Sequence, residues 1–210
     1  MELIQSFFRT VYNVPEMIRL GGLLGLVAIV FAETGLLVGF FLPGDSLLVT
    51  AGLFAARGDL NIWTLNLCLI VAAILGDATG YAFGLRTGVL LYSRPDSLLF
   101  KKKHLLQTKA FYEKHGGKTI VIARFMPIVR TFAPVVAGVA QMRYRDFALF
   151  NVWGGIGWVA CLTLAGYGLG HMFPPKIIDR YIHLLIAGII FVSLLPGFVA
   201  WLRERSKKSA

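Results

Sequence analysis

Cysteine is nearly missing from this chain, and so is charge. There are 2 cysteines among 210 residues. Cys68 and Cys161 both fall inside apolar runs, which excludes a disulfide framework and a cysteine metal cluster. Charged residues make up 15% of the chain, where a soluble domain carries about 25%. Acidic residues are the scarcer kind, 11 against 21 Lys and Arg. The N-terminus, with Glu2 and no Lys or Arg before Arg9, lacks the basic region of a secretory signal, so no cleaved leader is expected. What is abundant is apolar: 57% of residues are hydrophobic and the mean hydropathy is +0.71. A water-soluble globule cannot hide that much apolar surface, and disorder is excluded for the same reason. An all-α integral membrane protein is expected, as a single membrane domain over 1–210.

The excess of basic residues, +10 overall, is not a nucleic-acid signature, because no aromatic-interleaved basic face or binding motif accompanies it. The positives cluster between apolar runs. The 86–118 segment holds Arg86, Arg94, Lys101, Lys102, Lys103, Lys109, Lys114 and Lys118, and the tail 203–210 holds Arg203, Arg205, Lys207 and Lys208. Cytoplasmic segments of membrane proteins are biased in this way.

A spanning helix needs roughly 20 apolar residues. The runs 62–85, 147–170 and 181–202 meet that length. Two further segments do not read as ordinary spans. Segment 20–56 is too long for one crossing and is broken by Phe41-Leu42-Pro43-Gly44-Asp45. Segment 119–142 contains Arg124, Pro127, Arg130 and Pro134, which no lipid-facing helix tolerates together. Backbone freed by proline and glycine survives at membrane depth only inside protein or beside a water-filled cavity. Both segments are therefore expected to be re-entrant helical hairpins; two kinked spanning helices are the alternative. With the 86–118 loop and the tail placed in the cytoplasm, the hairpins enter from opposite faces and the C-terminus is cytoplasmic. The loop's Leu98, Leu105 and Tyr112, seven apart with lysines between, fit an amphipathic interfacial helix or a solvated connector. An interfacial segment over 1–19, carrying Leu3, Ile4, Phe7, Phe8 and Val11, is read in the same way.

An internal echo supports the pairing. Phe41-Leu42-Pro43 followed by Ala51-Gly52 resembles Phe125-Met126-Pro127 followed by Ala137-Gly138. Paired Gly/Pro-interrupted segments in two halves of a membrane protein point to a transport site at their meeting place.

The charges inside these segments are the candidate site. Each one near a helix centre costs about 2.5–3.5 kcal/mol on insertion, and such residues mark pathways or sites by default. The first hairpin holds the acids Glu33 and Asp45, the second the bases Arg124 and Arg130. If the hairpins meet tip to tip, acids face bases. Arginine grips phosphate bidentately and stays charged, whereas a buried carboxylate titrates as its surroundings change. That set suits a proton-linked carrier of an anionic head group. Asp45, after Pro43 and Gly44, also reads as a helix cap and nothing more. Asp77, in Gly76-Asp77-Ala78-Thr79-Gly80-Tyr81, reads mainly as part of a close-packing helix face, with a supporting place near the site; Pro127 and Pro134 are supporting as well. No metal and no cofactor is expected.

These residues resemble the DedA family of bacterial membrane proteins, within the SNARE-associated or VTT group that includes eukaryotic lipid scramblases. The resemblance rests on Glu33, on residues 41–45, on Gly76 to Tyr81, and above all on Ala123-Arg124-Phe125-Met126-Pro127-Ile128-Val129-Arg130-Thr131. Pro134, Gly138, Met142, Phe147, Asn151, Gly154, Trp158 and Gly166-Tyr167 continue it. It implies two opposed re-entrant hairpins, residence in the bacterial cytoplasmic membrane, and transport of undecaprenyl phosphate or a phospholipid, with dependence on the proton motive force. It also implies function for the acids at Glu33 and Asp45 and for the bases at Arg124 and Arg130. The expected function is a flippase recycling undecaprenyl phosphate; the alternatives are a scramblase or flippase of phospholipids such as phosphatidylethanolamine, and a proton-coupled ion or drug antiporter. The antiporter gives the arginines no substrate. An enzyme such as a lipid phosphatase needs a nucleophile or acid–base partner beside the arginines, and His104, His115, His171 and His183 all lie away from them in sequence. The partners expected are an anionic lipid and the membrane, with a homodimer left open.

Overall fold

The computed structural model of the chain describes residues 14–36, 44–93, 120–121, 124, 127–173 and 188. Five helices account for nearly all of these: α1 (Val14–Gly35), α2 (Gly44–Ala56), α3 (Ile62–Ser93), α4 (Pro127–Val139) and α5 (Tyr144–Met172). There is no strand among the described residues.

Local chemistry sets the helix ends. Asn61 caps α3, its Oδ1 accepting the backbone N–H of Trp63 at 3.0 Å and of Thr64 at 3.1 Å. Pro127 opens α4, where a missing N–H costs nothing. Pro134 sits inside the same helix, which forgoes one backbone hydrogen bond there. Within α1, Gly22 has φ 51° and ψ −147°, a conformation open to glycine, and the helix kinks at that point.

Two helices are long and apolar enough to cross a membrane, over Ile62–Gly88 and Tyr144–Met172. Their surfaces run opposite to those of a soluble protein. On α3, Trp63, Leu67, Val71 and Leu75 recur every four residues and are all exposed, Trp63 at 79%. On α5, Leu149, Trp153, Leu164 and Met172 are exposed. Buried instead are Glu33, Asp77, Arg124 and Arg130. Apolar outside and ionic inside is the arrangement a hydrocarbon solvent selects.

The chain divides into two compact units. One comprises residues 1–30, 41–72 and 157–210, the other residues 31–40 and 73–156. In the first, α2 lies against the C-terminal part of α5 through bare glycine contacts. A Cβ on Gly166 would strike the carbonyl of Val49, one on Gly52 the carbonyl of Thr163, and one on Gly170 the side chain of Ala56. In the second, α4 lies against α3 in the same manner. A Cβ on Gly84 would strike the carbonyl of Val135, one on Gly138 the carbonyl of Tyr81, and one on Gly88 the backbone of Val139. Val49, Gly52, Thr163, Gly166 and Gly170 thus correspond in order to Val135, Gly138, Tyr81, Gly84 and Gly88. The echo in the sequence is a repeated helix crossing, set by glycines that let backbones approach closely. Gly166→Ala and Gly84→Ala are each expected to destabilise by about 1–3 kcal/mol, as overpacking does. Gly157→Ala, whose added carbon meets nothing within 4 Å, serves as the neutral control. Thermal midpoints in detergent check the difference.

Behind these crossings each unit has its own core. Leu47, Leu48, Leu53, Leu65, Leu69 and Val159 are fully or almost fully buried in the first. In the second, Tyr81, Ile120, Ala137, Ala140 and Phe147 form one cluster. The Tyr81 ring stacks on Phe147 with centroids 4.5 Å apart, and its hydroxyl donates to the carbonyl of Met142.

Several boundaries differ from the sequence reading. The span expected at 62–85 continues as helix to Ser93, because Arg86 and Thr87 extend the turn pattern with no breaker before Pro95. The span expected at 147–170 begins at Tyr144 and ends at Met172. Segment 20–56 consists of α1, which already starts at Val14, and α2. Segment 119–142 contains α4 together with helical residues 120, 121 and 124. Residues 37–43 with Pro43, the interfacial segment before Val14, the loop from Arg94 to Lys118, and the basic tail lie outside the described residues, as does the 181–202 span apart from Gly188.

Candidate functional site: a buried ionic centre

Four parts of the chain bring charge into the interior of the second unit. Glu33 comes from the last turn of α1, Asp77 from the middle of α3, Arg124 from the residues before α4, and Arg130 from the first turn of α4. Each lies where a lipid-facing side chain would be excluded, with 2%, 3%, 4% and 8% exposure respectively.

They form two ion pairs. Arg130 Nη2 donates to Glu33 Oε1. Arg124 Nη2 donates to Asp77 Oδ2 and also to Asn151 Oδ1 on α5, and approaches the Asn151 carbonyl at 3.4 Å. Asn151 is itself fixed, since its Nδ2 donates to the carbonyl of Ile74 at 3.1 Å. Room for the Arg124 side chain comes from Gly154 and Gly155. A Cβ on Gly154 would stand 2.9 Å from Arg124 Cδ, and one on Gly155 3.6 Å from Nη2. The charges balance, two carboxylates against two guanidiniums. Taking ions out of water costs several kcal/mol each, and only close pairing with added hydrogen bonds offsets it. Neutral pairs of this kind persist in a membrane interior; isolated charges do not.

Asp45 lies in the other unit, in the first turn of α2. Its Oδ1 accepts the indole N–H of Trp158 on α5 at 2.9 Å. Nearby in that unit, Thr163 Oγ1 donates to Asn66 Oδ1 at 2.8 Å, and Asn66 Nδ2 donates to the carbonyl of Ile62 at 3.0 Å.

Set against the sequence reading, Glu33, Arg124 and Arg130 come together in one unit. Gly44 opens α2 and is buried, Pro127 opens α4, and Pro134 is buried inside α4. Asp77, read mainly as packing with a supporting place near the site, is the direct counter-ion of Arg124. Packing on that face falls to its neighbour Gly76, where a Cβ would strike Thr34 Oγ1. Asn151 was visible only as part of a family pattern. Its signal is a lone amide in an apolar span, with two glycines, Gly154 and Gly155, one helical turn on. Among the described residues no three His, Cys, Asp or Glu side chains converge on a metal position.

Comparison with known proteins agrees with this architecture. The model of the VTT domain matches residues 42–168. Over 182 residues, 86% of this chain and 82% of the relative, the chain is 50% identical to Protein DedA of Escherichia coli. It is 46% identical over 189 residues to an uncharacterized membrane protein of Mycobacterium tuberculosis, covering 89% of this chain and 82% of that one. Inner membrane protein YqjA of Escherichia coli is 38% identical over 170 residues, 78% of this chain and 73% of its own length. No solved structure matches the chain at a significant level. Apolar exposed helix faces with buried ion pairs, a family match over all of α3 and most of α5, and half-identity to a relative over most of its length make this chain an integral membrane protein of the DedA family, built on a VTT domain.

Proposed function

We propose that the chain is a flippase for a lipid phosphate, with undecaprenyl phosphate as substrate, residing in the bacterial cytoplasmic membrane with its C-terminus in the cytoplasm. The observation that carries the reading is the pair of buried arginine–carboxylate contacts, Arg124 with Asp77 and Arg130 with Glu33. A carboxylate and a phosphate compete for the same planar fork. In the substrate-free protein the carboxylates hold the guanidiniums and keep the centre neutral. A phosphate that displaces them finds two fixed positive charges in a low-dielectric interior. The prenyl tail remains in the bilayer, so the polar head crosses without entering hydrocarbon.

Protonation gives the carboxylates a way to let go, since a neutral acid competes poorly for a guanidinium. Glu33 and Asp45 are the acids assigned to proton coupling, and Asp77 joins them as the carboxylate on Arg124. The reading is of a carrier and not of an enzyme, so flux should proceed with no release of inorganic phosphate. It is tested in vesicles by following head-group exposure for undecaprenyl phosphate, phosphatidylethanolamine and undecaprenol. Transport of the monophosphate without transport of the alcohol supports it. Equal movement of all three would reduce the protein to a nonselective scramblase.

The proposed threading has its own check. Single cysteines near Lys102 and Lys207 are expected to react only from the cytoplasmic side, and one near Pro174 only from outside. Outside labelling at Lys102 would invert the scheme.

A further inference from the structure

We infer that Arg124 seats one phosphate oxygen on its Nε edge once Asp77 is displaced, with Asn151 as the positioning residue. The inference rests on the lipid-phosphate reading above.

A guanidinium offers five N–H donors. Two of them belong to Nη2, and Asp77 Oδ2 and Asn151 Oδ1 both accept from that atom. Nε is buried and has no hydrogen-bond partner among the described residues. The N–H groups of Nε and Nη2 lie side by side and suit two oxygens of one carboxylate or phosphate. Asp77 engages Nη2 alone, so this edge is half used. A tetrahedral phosphate that replaced Asp77 would fill both positions.

What borders the edge is bare backbone. A Cβ on Gly154 would stand 2.9 Å from Arg124 Cδ and 3.0 Å from Nε, so any side chain there presses on this edge. Alanine there pushes on a flexible arginine stem and not on backbone, so the fold tolerates it while the edge is blocked. Asn151 fixes the plane of the fork. Its Nδ2 is tied to the Ile74 carbonyl, so Oδ1 meets Nη2 in one orientation. Being neutral, it adds a hydrogen bond without adding a third carboxylate to Glu33 and Asp77. An aspartate would hold the guanidinium as well but leave it over-neutralised and could not donate to Ile74.

The test uses the purified full chain in detergent, with a long-chain prenyl monophosphate, the corresponding alcohol and inorganic phosphate as probes, and binding read by native mass spectrometry. Wild type is expected to bind the monophosphate at least tenfold more tightly than the alcohol. Gly154→Ala should lower monophosphate affinity at least tenfold and leave alcohol binding unchanged. If wild type fails to distinguish the two lipids, the proposed function fails and this inference with it. If wild type distinguishes them and Gly154→Ala binds as wild type does, the seat alone is overturned. Asn151→Asp decides the matter should the glycine variant not fold. It should weaken monophosphate binding at neutral pH and regain it as the pH is lowered. The charged group in contact with position 151 is Arg124, which holds Asp77 on α3; Arg130 on α4, paired with Glu33 on α1, acts electrostatically on both Arg124 and Asp77. Wild-type affinity of Asn151→Asp at every pH would remove Asn151 from its role. Displacement of the lipid by an equal concentration of inorganic phosphate would show a site for the free anion and overturn the lipid assignment.

Discussion

Arg130→Ala is expected to abolish transport and to destabilise the protein by about 3–5 kcal/mol, the cost of removing one partner from a buried ion pair. The reason is specific to this position. Glu33 is 2% exposed and receives the Arg130 guanidinium directly. Without it, the carboxylate stays in a low-dielectric interior deprived of that charge. Adding Glu33→Gln to Arg130→Ala should recover most of the stability and none of the transport, because the double variant is neutral but has lost the fork. Arg130→Lys separates charge from geometry. It keeps the positive charge but not the planar pair of donors, so folding should be nearly normal and transport reduced at least tenfold. Thermal midpoints in detergent and head-group flux in vesicles supply the two measurements. Undiminished flux in Arg130→Ala would exclude this residue from the substrate path.

Neutralising the acids is expected to have an effect of similar size on flux and a far smaller one on folding. Glu33→Gln keeps an oxygen that accepts from Arg130. Asp45→Asn keeps an oxygen that accepts the Trp158 indole at the present 2.9 Å. Both variants should therefore remain folded in the membrane while losing at least tenfold of the flux driven by a pH difference. Asp146→Asn is the control, since among the described residues Asp146 pairs with the exposed Arg143 at 2.8 Å on the surface of α5. Its flux should match wild type. Loss of folded protein in both acid variants would make Glu33 and Asp45 structural partners and end the coupling proposal.

The two units give these experiments an internal comparison. Each has a short helix crossing a long one through glycines at matching positions, yet their polar interiors differ. One contains two ion pairs held in part by the amide of Asn151. The other contains a carboxylate on an indole and a threonine on an amide.

The membrane class, the helical content and the identity of most charged site residues were all legible in the sequence, and for one reason: in hydrocarbon a charge or a broken helix is so costly that its presence is informative by itself. Glu33, Arg124 and Arg130 stood out as ions in apolar runs, and Pro43, Gly44, Pro127 and Pro134 as breaks in helices that lipid would not tolerate. The repeat was faintly legible as Ala51-Gly52 against Ala137-Gly138, since a glycine at a helix crossing leaves a mark in the sequence. Which acid meets which base was not legible. Pairing depends on the rotation of each helix about its own axis and on which helices are neighbours, and a one-dimensional pattern of apolar residues leaves both undetermined. The tertiary structure alone placed Asp77 on Arg124, put Asp45 against Trp158, and brought Asn151 and Gly154 of α5 around Arg124. Those contacts join residues 27 to 113 positions apart, and only helix packing brings them within hydrogen-bond range.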